Sequence, residues 1–322
     1  MVGFLVESLA LGVISCATVL LLTPSIMTKL KRKGIVGVDL HKAHTPEVPS
    51  AGGLAILIGY SASFTLAGFL NVDSKTMLLV YLVGVLACLL GLIDDILSLN
   101  KKTLIIASLI IGTPFLTYHK GSTFITLTPF GPQDIGLLFW PIALTGVAFL
   151  SNSVNIYAGF NGLEAGLGLI TSTSLGICAS LYGSTESALI LFTLSGSLLA
   201  FLKFNIYPAK IFIGNSGTYL IGAVIASAII VGTIKTVGLI ACIPYIANSL
   251  LRILGGLKWT VGNLTSDGKV VSNEVTALWS VFMYKKPVSE RTLVSRCWLI
   301  QLVFGGLAIL YALIATYNGW SI

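Results

Sequence analysis

Charged side chains are scarce in this chain of 322 residues, where Asp, Glu, Lys and Arg together make up only 10% of the sequence. Hydrophobic residues make up 55%, and the mean hydropathy is +0.95. A soluble globular domain carries about 25% charged residues, so this composition excludes that class and indicates an integral membrane protein. The net charge of +7 then reflects orientation in the bilayer, and no nucleic-acid partner is expected.

Cysteine pairs and a basic N-terminal region are also lacking, and there are only three histidines. The five cysteines form no CxxC pair and lie in or beside apolar runs, which indicates buried hydrophobes and not a disulfide frame or zinc site. His41 and His44 are three residues apart, but without a third ligand nearby a solvated loop is the simpler interpretation. The first charge is Glu7, so the run 3–23 is predicted to be a retained membrane helix and not a cleaved signal peptide.

Apolar runs predict an all-α polytopic membrane protein with about ten transmembrane helices in a single domain, residues 1–322. Alternating apolar and polar residues at 125–128, followed by Pro129 and Gly131, predict a short outer β-hairpin near 120–131. The predicted spans are 3–23, 51–70, 76–93, 103–118, 136–151, 163–182, 187–202, 217–234, 236–256 and 297–317.

Positive charge is distributed unevenly among the predicted loops. The loops after the even-numbered spans contain only Lys75, Lys120 and Lys235, which leaves 16 of the 19 Lys and Arg residues in or beside the loops after the odd-numbered spans. Cytoplasmic loops carry the excess of Lys and Arg. The odd-numbered loops are therefore predicted to face the cytoplasm, with both termini outside it.

Two adjacent carboxylates, Asp94 and Asp95, end the apolar run 76–93. In a helix they would lie at its negative dipole end near the membrane boundary, so a positive partner is expected. One interpretation is a pair of exposed acids where the helix leaves the membrane. The other is a metal or phosphate-transfer site, in which the acids hold Mg²⁺ or act on a proton while Lys101 and Lys102 meet phosphate charge.

Two further inner loops are rich in polar, uncharged groups. Residues 152–166, NSVNIYAGFNGLEAG, contain three Asn and three Gly but no Lys or Arg. Carboxamide oxygens and open backbone suit Mg²⁺ and the hydroxyls of a base or sugar, which favours a functional loop over a connecting turn. In residues 207–222, YPAKIFIGNSGTYLIG, Asn215 opens a span whose helix N-terminus favours anions, and Phe212 lies three residues earlier.

Together, GLIDDILSL, NIYAGFNGLEAG and FIGN resemble motifs of the polyprenyl-phosphate N-acetylhexosamine-1-phosphate transferases. The likeness is greatest to the archaeal and eukaryotic branch, the UDP-GlcNAc–dolichyl-phosphate GlcNAc-1-phosphate transferases, and it covers nearly the whole chain. It implies transfer of GlcNAc-1-phosphate from UDP-GlcNAc to polyprenyl or dolichyl phosphate at the cytoplasmic membrane face. UMP is released, and the product begins lipid-linked oligosaccharide synthesis for N-glycosylation.

Alternatives to this activity remain open. One is a sister transferase that uses another UDP-amino sugar or undecaprenyl phosphate. A secondary transporter is less favoured, because its polar groups would lie near the bilayer midplane, whereas here they collect at one face. The resemblance implies a multi-pass protein of the cell membrane in an archaeon or of the endoplasmic reticulum in a eukaryote, and it leaves a homodimer open.

The resemblance also implies roles for individual residues. Asp94 and Asp95 match the family's catalytic acidic pair. The Mg²⁺ ligands, with Mn²⁺ as the alternative ion, are expected to be Asn155, Asn215 and Asp95. Asn161 and Phe212 match positions that hold and stack on uracil, and the lysines match positions on the phosphate side. The expected substrate-binding residues are Lys42, Lys101, Lys102, Gly159, Asn161, Glu164 and Phe212.

The chain departs from the family pattern at two places. Where the family has F-x-G-D, this chain has FIGN, so Asn215 replaces an acidic Mg²⁺ ligand and metal affinity should fall. Three explanations for Asn215 are open: another acid compensates for the lost charge, the chain is a natural variant of low activity, or the Asp was replaced deliberately. Relatives also carry His or Arg clusters in the last inner loop, whereas the histidines here are His41, His44 and His119.

Overall fold

The computed structural model describes residues 2–42, 44–70, 72–118, 124–126, 132–256 and 262–319. The chain is mostly helical, as its composition predicts. The helices are α1 (Val2–Arg32), α2 (Gly53–Ala67), α3 (Ser74–Leu97), α4 (Lys101–Ile111), α5 (Phe139–Ile156), α6 (Leu163–Leu181), α7 (Thr185–Asn205), α8 (Gly214–Val231), α9 (Lys235–Leu254) and α10 (Glu290–Tyr317). Short 3-10 helices lie at Thr113–Thr117, Gly136–Leu138 and Trp279–Met283.

Within the described ranges, six short strands form three separate antiparallel pairs. In the predicted hairpin, Phe124 pairs with Asp134 and Thr126 with Pro132, so the second strand lies just beyond the expected range. The other residues assigned to this hairpin, 120–123 and 127–131, lie outside the described part of the chain. The pairs are β1 (Val36–Val38) with β2 (Glu47–Pro49), β3 (Phe124–Thr126) with β4 (Pro132–Asp134), and β5 (Asn263–Leu264) with β6 (Val270–Val271).

Eight helical segments in the described residues are long and apolar enough to cross a membrane. Two of the predicted spans, 51–70 and 103–118, are instead shorter apolar helices, Gly53–Ala67 and Lys102–Thr117. A helix of 15 residues is about 22 Å long, which is less than the bilayer core of about 30 Å. A mostly helical chain with several helices able to cross a membrane is confirmed, while the count of ten spans and the side of the termini stay predictions.

The helices differ in how much of their surface the protein itself covers. In the apolar stretch of each of α6, α7 and α8, 72% of the residues are buried inside the protein, against 28% in α1 and α10. Helix α8 packs on α3 and α5, and α7 packs on α1 and α6. The inner helices α6 to α8 therefore form the core, and the first turn of α8 lies where α3, α5 and the loop 33–52 can reach it.

Candidate active site

Asp95 caps the N-terminus of α8. Its Oδ1 accepts a hydrogen bond from the backbone N–H of Asn215 at 2.7 Å, and its Oδ2 accepts one from the N–H of Ser216 at 3.1 Å. These N–H groups belong to the first turn of the helix, which has no carbonyl partners for them within the helix. The positive end of the α8 dipole thus supplies the partner that the sequence led us to expect for the acidic pair.

Asp94 lies beside Asp95 and is oriented by two further hydrogen bonds. Its Oδ1 accepts from the N–H of Leu99 at 2.8 Å, and its Oδ2 accepts from Nδ2 of Asn215 at 2.7 Å. The hydroxyl of Thr218 lies 2.9 Å from Oδ1 of Asn155 and 3.1 Å from the backbone oxygen of Asn215. Helices α3, α5 and α8 therefore bring together the two predicted acids and the two predicted asparagine ligands.

Two glycines allow α3 to approach the start of α8 this closely. A Cβ at Gly91 would lie 2.2 Å from the backbone oxygen of Asn215, so a larger residue would force the helices apart. Gly214 has φ +70°, and a Cβ there would lie 2.5 Å from Oδ2 of Asp95. The absence of a Cβ at these two positions therefore lets the GLIDD motif pack directly against the FIGN motif.

The loop 33–52 folds against the same turn of α8. The N–H of Phe212 donates to the carbonyl of Pro49 at 2.8 Å, and the N–H of Gly52 donates to the carbonyl of Phe212 at 2.9 Å. The Phe212 ring lies against Gly37, in β1. These contacts fix the loop, in which Asp39 and His41 are buried while Val38 and Leu40 between them remain exposed.

A cavity of about 950 Å³ lies between these elements. Ligand sites typically enclose about 300–1,000 Å³, so this space is large enough for a nucleotide sugar. Most of its lining is apolar, and the polar groups come chiefly from the loop 33–52, the ends of α3, α5 and α9 and the first turns of α6, α8 and α10. The predicted site residues in the lining are Asp94, Asp95, Asn155, Gly159, Asn161, Glu164, Phe212 and Asn215.

Three buried carboxylates hold the turn between α5 and α6. Glu164 accepts a hydrogen bond from the N–H of Gly159 at 2.8 Å. Glu290 accepts from the backbone N–H of Asn161 at 2.7 Å, and Asp39 accepts from the side-chain Nδ2 of Asn161 at 3.0 Å. Asn161 is thus oriented from both sides, by Asp39 from the loop 33–52 and by Glu290 from the first turn of α10.

Aromatic rings continue this wall of the cavity. The ring of His41 stacks on Phe160 with 4.5 Å between centroids, and Phe160 meets Trp279 edge-on at 5.0 Å. The guanidinium of Arg252 lies 5.2 Å from the Trp279 ring, and its Nε donates to the carbonyl of Ile156 at 3.2 Å. The interpretation of His41 as part of a solvated loop is wrong, because the packed rings leave it only 8% exposed.

Of the predicted phosphate-side lysines, Lys42 and Lys102 are not among the described residues that line the cavity. Lys42 forms an ion pair with Asp39, and its Nζ lies 5.1 Å from the centre of the Tyr207 ring. Lys102 is exposed on α4, while the side chain of Lys101 lies outside the described part of the chain. Among the described lining residues, Arg252 is the only Lys or Arg. The phosphate role of the three lysines stays a prediction.

Asp39 keeps a negative charge in the cavity wall. Burial raises the pKa of this carboxyl, but hydrogen bonds from Asn161 and Lys42, the charge of Lys42 and the backbone N–H of His41 lower it by more. The net result is a pKa below the usual 3.8. Asp39 is therefore ionised at neutral pH.

The acidic pair and the two asparagines suit a hard divalent cation. Mg²⁺ prefers oxygen ligands, and these side chains offer carboxylate and carboxamide oxygens. Each carboxylate oxygen of Asp94 and Asp95 accepts one protein hydrogen bond and retains a second lone pair. The donor set therefore fits Mg²⁺, and Asp94 offers a carboxylate beside the ligands expected from the sequence.

Sequence reasoning did not assign a role to Asp39, His41, Arg252 or Glu290. All four are buried, at 4%, 8%, 2% and 5% exposure, and all line the cavity. In the sequence they belong to loops or helix ends with several other charged residues, which gives no sign of burial. Only the packing of the loop 33–52, the end of α9 and the start of α10 against the α5–α6 turn distinguishes them.

The fold and the cavity define a polytopic helical membrane protein with an oxygen-rich site where several helices end. Glycosyl transferase family 4 matches residues 77–233. A protein of Saccharolobus solfataricus is 32% identical over 295 residues, covering 88% of this chain and 90% of the relative. One of Sulfolobus acidocaldarius is 30% identical over 313 residues, covering 93% and 94%. Both are provisionally named UDP-N-acetylglucosamine–dolichyl-phosphate N-acetylglucosaminephosphotransferase.

Bacterial proteins are similar as well. A phospho-N-acetylmuramoyl-pentapeptide-transferase of Prochlorococcus marinus is 32% identical over 280 residues, covering 81% of this chain and 75% of the relative. These similarities extend over most of both chains. The chain belongs to glycosyl transferase family 4.

Proposed function

We propose that this protein transfers GlcNAc-1-phosphate from UDP-GlcNAc to a polyprenyl or dolichyl phosphate, releasing UMP. The observation that carries the proposal is the cluster of Asp94, Asp95, Asn155 and Asn215 in the wall of a large cavity. The names of the archaeal relatives specify the same two substrates. A transferase of this kind must bring a bilayer lipid and a soluble nucleotide to one site, and a cavity bounded by membrane helices suits that task.

In the proposed reaction, an oxygen of the lipid phosphate attacks the phosphorus that carries the sugar. A new P–O bond forms there, and the bond to the bridging oxygen breaks so that UMP leaves with the electron pair. A phosphate monoester is largely dianionic at pH 7, because its second pKa is about 6. Positioning by the protein therefore matters more than a strong base.

The acidic pair has two different tasks in this proposal. Asp95 holds the first turn of α8 in place, and Asp94 orients the side chain of Asn215. Together with Asn155 they supply the oxygens for Mg²⁺, which when bound offsets the charge of the diphosphate. Because the two acids and Asn215 lie in one hydrogen-bonded unit, the loss of either acid disturbs the whole site.

Two further lining residues suit the nucleoside. Asn161 is held rigidly by Asp39 and Glu290, and the ring of Phe212 also lines the cavity. A fixed carboxamide and an aromatic ring can pair with and stack on a uracil base. Arg252 is the cation of the lining that could meet a phosphate or a sugar, a role that the sequence-based prediction gave to lysines.

We also propose the topology predicted from the charges: ten crossings, termini outside and the site at the cytoplasmic face. The distribution of 16 of 19 basic residues supports it. It can be tested with single cysteines introduced into a cysteine-free variant and labelled from one side of intact cells. Labelling of Lys33→Cys from outside would contradict it.

The decisive experiment uses the full chain in detergent with Mg²⁺, polyprenyl phosphate and UDP-GlcNAc labelled in the uridine. We expect UMP and a GlcNAc-diphosphate lipid, with no sealed compartment needed, so a transporter would give neither. Asp94→Asn should abolish both products, whereas Asp134→Asn, which removes an exposed acid in β4, should not. No UMP with any lipid acceptor would overturn the proposal.

A sister transferase is the second candidate, because the relatives include a phospho-N-acetylmuramoyl-pentapeptide-transferase. A panel of UDP-amino sugars against dolichyl and undecaprenyl phosphate separates the two. Faster turnover of a UDP-muramoyl-peptide than of UDP-GlcNAc would select the second candidate. The archaeal relatives, which cover more of the chain, lead us to expect the opposite.

A further inference from the structure

We propose that Asp39, His41 and Glu290 form a second divalent-cation site, which binds a zinc-like ion and shares no residue with the acidic pair. One ligand atom from each of these three side chains lies within 4.8 Å of the other two. The two carboxylates and the imidazole come from the loop 33–52 and from the first turn of α10. All three are buried, so the cluster is not one of the solvated acidic patches common on protein surfaces.

The two carboxylates are already oriented for a shared ligand. Asn161 donates its backbone N–H to Oε1 of Glu290 at 2.7 Å and its side-chain Nδ2 to Oδ2 of Asp39 at 3.0 Å. Metal-binding carboxylates and imidazoles are commonly fixed in this way by hydrogen bonds from outside the site. The ring of His41 is fixed as well, by stacking on Phe160.

Glu290 carries an observation independent of the clustering. Its Oε2 is buried and has no hydrogen-bond partner, although the residue is only 5% exposed and lines the cavity. A buried carboxylate oxygen without a partner is costly. The first-turn position in α10 provides only the partial charge of the helix dipole, and Lys42 is paired with Asp39. A cation bound between Glu290, Asp39 and His41 would give Oε2 of Glu290 the partner that it lacks.

The ligand types indicate which ion this site would take. Imidazole suits Zn²⁺ and similar transition metals, whereas Mg²⁺ prefers an all-oxygen set such as the one around the acidic pair. Around a tetrahedral Zn²⁺ with bonds of about 2.0–2.2 Å, neighbouring ligand atoms lie about 3.4 Å apart. The ligand atoms here lie within 4.8 Å of one another, so they need a closing movement of about 1.4 Å at most, which small rotations of the three side chains provide.

Such an ion would link three parts of the chain. Asp39 and His41 belong to the first inner loop, Glu290 begins α10, and Asn161 connects both carboxylates to the α5–α6 turn. The ion would therefore rigidify the turn that carries Asn161. This inference concerns a structural metal and does not depend on which substrate the cavity takes.

The test measures Zn²⁺ binding by the full chain in detergent with Mg²⁺ in large excess, so that sites preferring Mg²⁺ are filled. We expect about one Zn²⁺ per chain and a higher melting temperature with Zn²⁺ than without it. His41→Phe keeps a ring that can stack on Phe160 but removes the ring nitrogens. Glu290→Gln keeps an oxygen for the N–H of Asn161 but removes the charge. Each should weaken Zn²⁺ binding by at least about 10–100-fold, the loss seen when an outer partner of a metal ligand is removed.

Glu164→Gln is the matched control, because Glu164 is also a buried acid that accepts a backbone N–H from the same turn but lies outside the cluster. It should bind Zn²⁺ as the unmodified protein does. The proposal is overturned if the unmodified protein binds no Zn²⁺ under these conditions, or if His41→Phe and Glu290→Gln bind it normally. Equal loss in Glu164→Gln would also overturn it, since binding would then follow the charge of the cavity and not this cluster.

Discussion

Gly91→Ala is the change whose effect on the site can be worked out most directly. The added Cβ would lie 2.2 Å from the backbone oxygen of Asn215, whereas ordinary contact begins at 3.4 Å. Both partners are helix backbone, so no side-chain rotation relieves the clash. Helix α3 must therefore move about 1 Å away from the start of α8 at the point where Asp95 caps it.

A displacement of about 1 Å in an active site costs about 100-fold in rate. Overpacking of this kind also costs about 1–3 kcal/mol of stability. We therefore expect Gly91→Ala to reduce the rate of UMP release about 100-fold at saturating substrate and to lower the melting temperature. The assay is the detergent assay proposed above, run beside a thermal unfolding scan of the same preparations.

Gly146→Ala is the matched control. Gly146 also lies inside a helix, α5, but a Cβ there has nothing within 4 Å. Alanine is a better helix former than glycine, so this variant should keep both its activity and its melting temperature. If Gly91→Ala is as active and as stable as Gly146→Ala, the close approach of α3 to α8 does not set the geometry of the site, and the reasoning is refuted.

Three further predictions concern charge at the site. Asp95→Asn should abolish UMP release and also lower the melting temperature. The reason is that it replaces the charged cap of α8 by an amide whose Nδ2 would face an N–H. Normal turnover would show that Asp94 and Asp95 only mark the end of a helix. Asn215→Asp should lower stability without Mg²⁺, since a third carboxylate would face Asp94, and should raise Mg²⁺-dependent activity; an unchanged metal requirement would show that residue 215 is not a ligand. Because the pKa of Asp39 is below 3.8 when folded, its ionised form stabilises the fold above that pH and the contribution disappears as the pH falls through the lowered pKa. Asp39→Asn should therefore lower the melting temperature at pH 7, and the difference from the unmodified protein should vanish well below pH 3.8; a difference independent of pH would contradict this reasoning.

The sequence was informative where a feature is local. Long apolar runs predicted the helices, and the abrupt Asp94–Asp95 end of one run predicted a site there. The expected hairpin was also found close to its predicted position, because alternation and turn residues are neighbours in the chain. The lengths of α2 and α4 were not predicted, because hydropathy alone does not show where a helix ends, and whether both cross the membrane stays a prediction.

Contacts between distant residues were not accessible in this way. His41 looked like part of a solvated loop, because nothing near it in the chain shows that it stacks on Phe160. Glu290 looked like one charge among several in the last inner loop. Its burial depends on the turn that carries Asn161, which lies 129 positions earlier.

What the sequence by itself determined is the class of protein, its helical segments and the residue types of its polar loops, because these follow from composition and local pattern. The tertiary structure decided which polar groups meet. Asp95 became the cap of α8 because Gly91 lets two backbones touch, and Asp39, His41 and Glu290 became one buried cluster because Asn161 binds acids from both ends of the chain. Such contacts depend on how helices that are far apart in the sequence pack together, and no local sequence pattern encodes that packing.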